Sequence, residues 1–195
     1  MIKVGIILGS TRPNRNGEAV AQWVRRLARH EDAQFELVDV RDYDLPLLDE
    51  PVPPSLGKYS KLHTRKWAAK IAEFDAYVFV TGEYNHGIPG ALKNAIDFIY
   101  AEWNNKAAGF VAYGSAGGVR AVEQLRTVMA ELQVADVRAQ VALSLFTDFE
   151  KMSVFKPAEH QEKALQAMLE QVVAWGRALK ALRMERAGAA GKVAA

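Results

Sequence analysis

The fold is decided by the stretch Lys3-Val4-Gly5-Ile6-Ile7-Leu8-Gly9-Ser10-Thr11-Arg12-Pro13-Asn14-Arg15-Asn16-Gly17, which joins a short apolar run to a polar loop. The apolar run Lys3–Leu8 has the length and the branched aliphatic content of a buried strand. Apolar residues at helical spacing follow over Glu18–Arg29. A strand, a loop and a helix in this order form the first half of a βαβ unit.

The same alternation of short apolar runs and amphipathic segments continues along the chain. Further strands are predicted over Phe35–Val40, Ala76–Thr81, Gly109–Tyr113 and Val137–Leu143. Helices are predicted over Lys58–Phe74, Ala91–Ala101 and Val119–Leu132. Strands separated by single helices imply right-handed crossovers and a parallel sheet covered on both faces. We therefore predict an α/β three-layer sandwich with a five-stranded parallel sheet in the order 2-1-3-4-5.

The length of 195 residues fits one domain. We place this domain at residues 1–186, with the proline-rich connection Tyr43–Gly57 inside it and a last helix over Ala158–Arg186. The small residues of 187–195 predict a frayed tail.

The composition excludes several kinds of site. The chain has no cysteine, which rules out disulfides, thiolate metal sites, iron–sulfur clusters and cysteine nucleophiles. Its four histidines lack the close spacing of a zinc helix, so no metal site is predicted. A net charge of +2 gives no support to a nucleic-acid partner. No apolar run reaches membrane-helix length, and the apolar start is too short for a secretory signal, so we predict a cytoplasmic protein without membrane contact.

Ligands of a parallel sheet of this kind bind beyond the carboxyl ends of its strands. The loop after the first strand offers Ser10, Thr11, Arg12 and Arg15 together with the free amides of a helix N-terminus, all of which suit a phosphate. The glycine motifs of dinucleotide-binding and P-loop proteins are missing, which favours a terminal phosphate monoester. Such a loop is also an ordinary helix cap in many proteins.

Two further loops follow the third and fourth predicted strands. In the first of them, Tyr84 and Asn85 offer an aromatic face and an amide beside a tight turn, which can hold a flat heterocycle. In the second, Gly114-Ser115-Ala116-Gly117-Gly118 permits close backbone approach and opens a helix whose positive end stabilises an anion. Each loop alone is equally explained as a strand-to-helix connection. Together, the three loops predict a planar cofactor that carries a phosphate.

Three segments carry a resemblance to a known family. They are Gly-Ser-Thr-Arg at 9–12, Glu-Tyr-Asn-His-Gly-Ile-Pro-Gly-Ala-Leu-Lys-Asn-Ala-Ile-Asp at 83–97, and Tyr-Gly-Ser-Ala-Gly-Gly-Val-Arg-Ala at 113–121. They resemble the NADPH-dependent FMN reductase family, flavodoxin-like enzymes that include quinone, azo-dye and chromate reductases. Glu102-Trp103 and Lys106 are similar to the quinone-reductase branch.

The resemblance implies FMN as cofactor, NADPH or NADH as electron donor, and a flavodoxin-like fold. By the same resemblance, Ser10, Arg12 and Arg15 hold the FMN phosphate. The residues that border the isoalloxazine are then Gly82, Glu83, Tyr84 and Asn85, and those that face its pyrimidine edge are Ser115, Gly117 and Gly118. Gly82 stands where the family usually has proline.

The resemblance thus predicts an enzyme that passes hydride from NAD(P)H through bound FMN to quinone, flavin, azo or similar acceptors in two steps, by a ping-pong mechanism. No side chain is assigned a catalytic role beside the flavin itself, and His86 is a candidate for substrate contact. Two alternatives stay open, a flavodoxin-type electron carrier and a binding module that senses flavin or redox state.

The helix predicted over Ala91–Ala101 has apolar residues on more than one face, and Trp103 extends that surface. One sheet does not require so much apolar surface, so we expect subunit contact there, in a homodimer or a dimer of dimers. The alternative is that the helix is simply well buried within the chain.

Overall fold

The computed structural model describes the backbone of residues 1–193 and the side chains of residues 1–189. The strands are β1 (Ile2–Leu8), β2 (Ala33–Asp39), β3 (Ala76–Gly82), β4 (Lys106–Gly114), β5 (Val134–Ser144), β6 (Phe149–Glu150) and β7 (Val154–Phe155). The helices are α1 (Asn16–Leu27), α2 (Leu62–Ala72), α3 (Gly90–Asp97), α4 (Val119–Glu131) and α5 (Glu159–Val193). Short 3-10 turns at Val40–Tyr43 and Pro54–Leu56 lie in the proline-rich connection.

Five strands form one parallel sheet in the order β2-β1-β3-β4-β5, which confirms the predicted topology. Every residue of β3 and β4 is buried, because these strands are central and covered on both faces. Strand β4 begins at Lys106, three residues before its predicted start at Gly109. The lysine and two alanines at its start have low strand propensity, so neighbouring strands rather than local sequence extend it.

Two apolar clusters separate the helices into layers. One cluster joins α1 and α5 to a face of the sheet, and the other joins α2, α3 and α4 to the opposite face. The result is the predicted three-layer arrangement with the sheet in the middle.

The apolar surface of α3 is used inside the chain. Leu92, Ile96 and Trp103 are fully buried, in the same apolar cluster as Trp67 of α2. The indole nitrogens of Trp67 and Trp103 donate to the carbonyls of Ala95 and Ile96, at 2.7 and 3.1 Å. The expectation that this helix presents an apolar face for subunit contact is therefore wrong, and the alternative of a well-buried helix holds.

The C-terminal third differs from the prediction in two places. The antiparallel hairpin β6–β7 was not predicted, because strands of two residues are too short for periodicity to show. Helix α5 runs to Val193, beyond the predicted end at Arg186, and residues 194–195 of the predicted tail lie outside the described part.

The amino end of the sheet holds a buried lysine. The Lys106 side chain, 5% exposed, donates from Nζ to the Ile71 carbonyl at 3.0 Å and to Tyr77 Oη at 2.9 Å. Burial, aided by nearby Arg183 and opposed by Asp75 and Glu102, lowers the pKa of Lys106 to about 7. Glu102, Trp103 and Lys106, which resemble the quinone-reductase branch, thus support the end of the sheet that lies opposite the strand carboxyl ends.

We expect Lys106→Met to remove part of the pH dependence of stability. The folded-state pKa of Lys106 lies below the unfolded value, so the unfolded chain binds more protons between about pH 7 and 10 and wild-type stability rises with pH there. The variant lacks this rise, which amounts to up to about 4 kcal/mol in the free energy of unfolding. Urea unfolding at several pH values measures it, with exposed Lys58→Met as the control. Identical pH slopes in wild type and Lys106→Met would contradict the assignment.

Candidate functional site

Three loops meet at the carboxyl edge of the sheet. They follow β1, β3 and β4, which are adjacent in the sheet, so the parallel strands deliver their loops side by side. Ser10 Oγ in the first loop lies 2.8 Å from Tyr84 Oη in the second. The backbone amide of Glu83 donates to the Tyr113 carbonyl at 3.1 Å, which joins the second loop to the end of β4. All ten residues predicted to bind the cofactor lie at this edge.

The two arginines of the first loop have different surroundings. Arg15 is buried, and its guanidinium pairs with both carboxylate oxygens of Asp39 at the end of β2 and donates to the Ser10 carbonyl. Arg12 is exposed and forms no ion pair within residues 1–189. The structure thus places Arg15 as a support of the loop, whereas Arg12 keeps its donors for a ligand. Asp39 was not foreseen, because nothing in the sequence signals which carboxylate meets the loop.

The amides at the start of α1 complete the first loop. The N-terminus of α1 has no side-chain cap, and Ser10 beside it is buried. Uncapped amides at a helix N-terminus need an acceptor, and they favour an anion. An uncapped helix start, a hydroxyl and an unpaired guanidinium fit a terminal phosphate.

The second loop is a tight two-residue turn. Tyr84 and Gly87 exchange both backbone hydrogen bonds, at 3.0 and 2.9 Å, around Asn85 and His86. Asn85 and His86 have φ of 50° and 66°, the left-handed region that asparagine tolerates better than most residues. This geometry leaves both side chains exposed at the tip. The predicted turn is therefore present, with Asn85 and His86 as its central residues.

An ion pair clamps the second loop to α4. The Glu83 side chain, 4% exposed, accepts from Arg120 Nε at 2.6 Å and from the Arg120 backbone amide at 3.1 Å. Burial alone would raise the pKa of Glu83, but the hydrogen bonds and charge of Arg120 outweigh it and lower the pKa. Glu83 is therefore an ionised anchor near neutral pH.

The same arginine fixes the tautomer of His86. Arg120 Nη1 lies 2.8 Å from His86 Nε2, and because a guanidinium only donates, Nε2 is the acceptor. A neutral His86 then carries its proton on Nδ1. Gln124 Nε2 holds the His86 carbonyl at 3.0 Å, so the turn has two attachments to α4.

The glycines of the third loop are required by packing. Gly117 and Gly118 have φ of 70° and 72°, and a Cβ at Gly118 would lie 2.7 Å from Ala112 Cβ. The Gly117 amide donates to the Gly114 carbonyl at 3.0 Å, so it is used within the turn. Ser115 is exposed at the tip. The glycines therefore shape the loop, and the Gly117 amide is not free for a flavin edge.

Sequence reasoning missed Tyr113, the last side chain of β4 before the third loop. Its ring, 6% exposed, packs between Gly17 and Gly82, where an added Cβ would lie 2.6 Å from its hydroxyl and 3.1 Å from its Cε2, respectively. Burial raises the pKa of Tyr113 to about 12, so the phenol is neutral. The tyrosine also gives a physical reason for Gly82 in place of the usual proline, since a larger residue would meet its ring.

The hairpin β6–β7 was missed as well, and it stands beside the first loop. The Met152 carbonyl at its tip accepts from Asn16 Nδ2 at 2.9 Å. Phe155 packs edge-on against Trp23 of α1, with ring centroids 5.6 Å apart. The hairpin thus supports α1 next to its uncapped end.

Within the described part of the chain, no group of three or more histidine, aspartate or glutamate side chains is placed to hold a metal ion. None of the helices described has the length and apolar content to span a membrane.

Comparison with known proteins agrees with this geometry. The family model described as NADPH-dependent FMN reductase matches residues 2–148. An NAD(P)H-dependent FMN reductase of Schizosaccharomyces pombe is 39% identical over 166 residues, which cover 84% of this chain and 83% of the relative. A quinone reductase of Pseudomonas putida is 29% identical over 188 residues, covering 88% and 93%.

A solved structure shows the same fold. FerB of Paracoccus denitrificans, a flavoenzyme NAD(P)H:(acceptor) oxidoreductase, superposes with a TM-score of 0.70 at 21% identity, over 91% of this chain and 98% of its own. The chain therefore belongs to the NADPH-dependent FMN reductase family, and it is an oxidoreductase with FMN as cofactor and NAD(P)H as electron donor.

Proposed function

We propose that the chain transfers two electrons from NAD(P)H, through FMN held by the three loops, to a quinone or a similar small acceptor. Donor and acceptor use the same open face in turn, so the mechanism is ping-pong. The observation that carries the site is the uncapped start of α1 beside buried Ser10 and exposed Arg12, which has no ion pair among the described side chains. When bound, FMN supplies the hydride and electron chemistry.

The chain's own residues bind and orient. Ser10, Arg12 and the first amides of α1 hold the phosphate, while Arg15 acts through the Ser10 carbonyl and Asp39 as a positioning residue. The segment from Gly82 to Asn85 borders the flavin ring, in a position set by the Glu83–Arg120 ion pair. Ser115 and the backbone of Gly118, both in the third loop, face the pyrimidine edge of the flavin.

No acid or base side chain takes part in this proposal. Glu83 is ionised and bonded to Arg120, so it has no proton to give. His86 is exposed at the tip of the turn, and with Nε2 accepting from Arg120, Nδ1–H is the ring donor left for a ligand. We therefore keep His86 as a substrate contact, through a hydrogen bond to an acceptor oxygen.

The homodimer or dimer of dimers stays a prediction, now without support from α3. Exposed leucines in the connection between β2 and α2 and at the first position of α2 offer an apolar surface for it instead, namely Leu47, Leu48, Leu56 and Leu62. The cytoplasmic location and the absence of a nucleic-acid partner also stay predictions.

The proposed reaction is tested by a flavin spectrum. We expect NADPH, added without oxygen to the purified FMN-loaded chain, to bleach the flavin absorbance, and a quinone added afterwards to restore it. A spectrum unchanged by both NADPH and NADH would contradict the proposal and favour an electron carrier or a sensor. Bleaching without recovery by any quinone would contradict the acceptor class alone.

The phosphate assignment predicts that Arg12→Ala weakens FMN binding by about 1.5–3 kcal/mol, because a charge-assisted hydrogen bond is lost. Titration with FMN, followed by fluorescence quenching, measures the change. The control is Arg25→Ala, an exposed arginine in the last turn of α1, far from the first loop. Equal affinity in Arg12→Ala and Arg25→Ala would show that the loop is only a helix start.

The clamp predicts coupling between Glu83 and Arg120. Arg120→Ala leaves the Glu83 carboxylate buried without its partner, so we expect a lower melting temperature and weaker FMN binding. Glu83→Gln combined with Arg120→Ala removes that buried charge and recovers part of the loss. A double-mutant cycle on stability should give a coupling of about 1–2 kcal/mol, reduced from a fully buried pair because Arg120 is 38% exposed. Additive effects would contradict the clamp.

A further inference from the structure

Three hydroxyl groups from three different strand ends gather at the start of α1. Ser10 Oγ and Tyr84 Oη are 2.8 Å apart. The Tyr113 hydroxyl adjoins the first turn of the helix, because a Cβ at Gly17 would lie 2.6 Å from it. Ser10 and the charges of Arg12 and Arg15 are close enough to Tyr113 to lower its pKa against the larger effect of burial. These groups therefore surround the uncapped helix end.

The hydroxyl protons outnumber the bonds among the hydroxyls. Each of the three groups brings one proton, and each can accept as well. Ser10 and Tyr84 share one hydrogen bond, and the Tyr113 hydroxyl lies close enough to Ser10 for a second. With these two bonds made, one hydroxyl proton is left for an acceptor outside the cluster. The Tyr113 phenol keeps its proton near neutral pH, since burial raises its pKa to about 12.

The surroundings of the cluster carry positive charge. Arg12 and Arg15 are the charged side chains that act most strongly on the Tyr113 hydroxyl. Asp39 neutralises Arg15, whereas Arg12 has no ion pair within residues 1–189. Donors, the charge of Arg12 and the uncapped helix start thus converge at this place. A ligand with several acceptor oxygens and negative charge completes the arrangement.

We propose that the hydroxyls of Tyr84 and Tyr113 bind the terminal phosphate of the flavin, together with Ser10 and Arg12. The inference rests on the proposed function, which puts that phosphate at the first loop. It gives Tyr84, whose expected place is beside the flavin ring, a second contact at the other end of the cofactor. It also makes Tyr113 a ligand-binding residue in addition to its packing between Gly17 and Gly82.

The test compares two flavins that differ only in the phosphate. The dissociation constants of FMN and of riboflavin are measured by fluorescence quenching on the flavin-free full chain, for wild type, Tyr84→Phe and Tyr113→Phe. Each variant removes one hydroxyl and keeps the ring, and circular dichroism melting checks that it folds. The control is Tyr100→Phe, whose hydroxyl donates to the Glu131 carbonyl away from the loops.

We expect each of Tyr84→Phe and Tyr113→Phe to weaken FMN binding about tenfold or more and to leave riboflavin binding unchanged, because hydrogen bonds to a charged group are lost only with FMN. Equal loss for both flavins, or no loss for FMN, would overturn the inference. If Tyr113→Phe fails to fold, Tyr84→Phe still tests the inference, because Tyr84 is half-exposed.

The wild-type measurement separates this inference from the proposed function. Wild type that binds neither flavin would overturn the proposed function, and the inference with it. Wild type that prefers FMN to riboflavin, with both variants keeping the same preference, would overturn the tyrosine assignment alone.

Discussion

The parallel direction of the five strands is the constraint on which the rest of the structure depends. Parallel strands require crossover helices, so each strand carboxyl end is followed by a loop and then by the positive end of a helix. In the order β2-β1-β3-β4-β5, the loops after β1, β3 and β4 become neighbours although they are more than 20 residues apart in sequence. The backbone alone therefore makes that edge a site that favours anions, whatever the side chains of the loops.

Buried charge then stiffens this edge. Arg15 with Asp39, and Glu83 with Arg120, each tie one loop to a neighbouring element. Removing one partner of such a pair costs far more than the pair contributes in total, because a charge is left without water or a counterion. The loops are therefore held before a cofactor arrives, which limits the ordering that binding must impose. At the opposite end of the sheet, Lys106 is held by carbonyls and a phenol rather than by a carboxylate.

The segments with strong hydrophobic periodicity were predictable from local sequence, because the spacing of their apolar residues shows which side faces the core and which faces solvent. The run Lys3–Leu8 and the helix starting near Glu18 are of this kind, and they fall within one or two residues of β1 and α1. The excess of apolar residues around α3 was also visible in the sequence, but the surface against which they pack was not. Whether Leu92 and Trp103 face another subunit or Trp67 depends on where α2 packs, and periodicity holds no information on that.

The sequence by itself determined the strand–helix alternation, the sheet order and the family, because these follow from hydrophobic periodicity and from three contiguous motifs. It also placed the candidate ligands at the strand ends. Only the tertiary structure decided which of those residues have free donors: Arg15 is engaged by Asp39, Glu83 by Arg120, and the Gly117 amide by Gly114. Tyr113 is likewise part of the site only through its tertiary contacts. Burial and ion pairing depend on residues that are distant in sequence. A sequence motif therefore identifies a side chain but not its contacts.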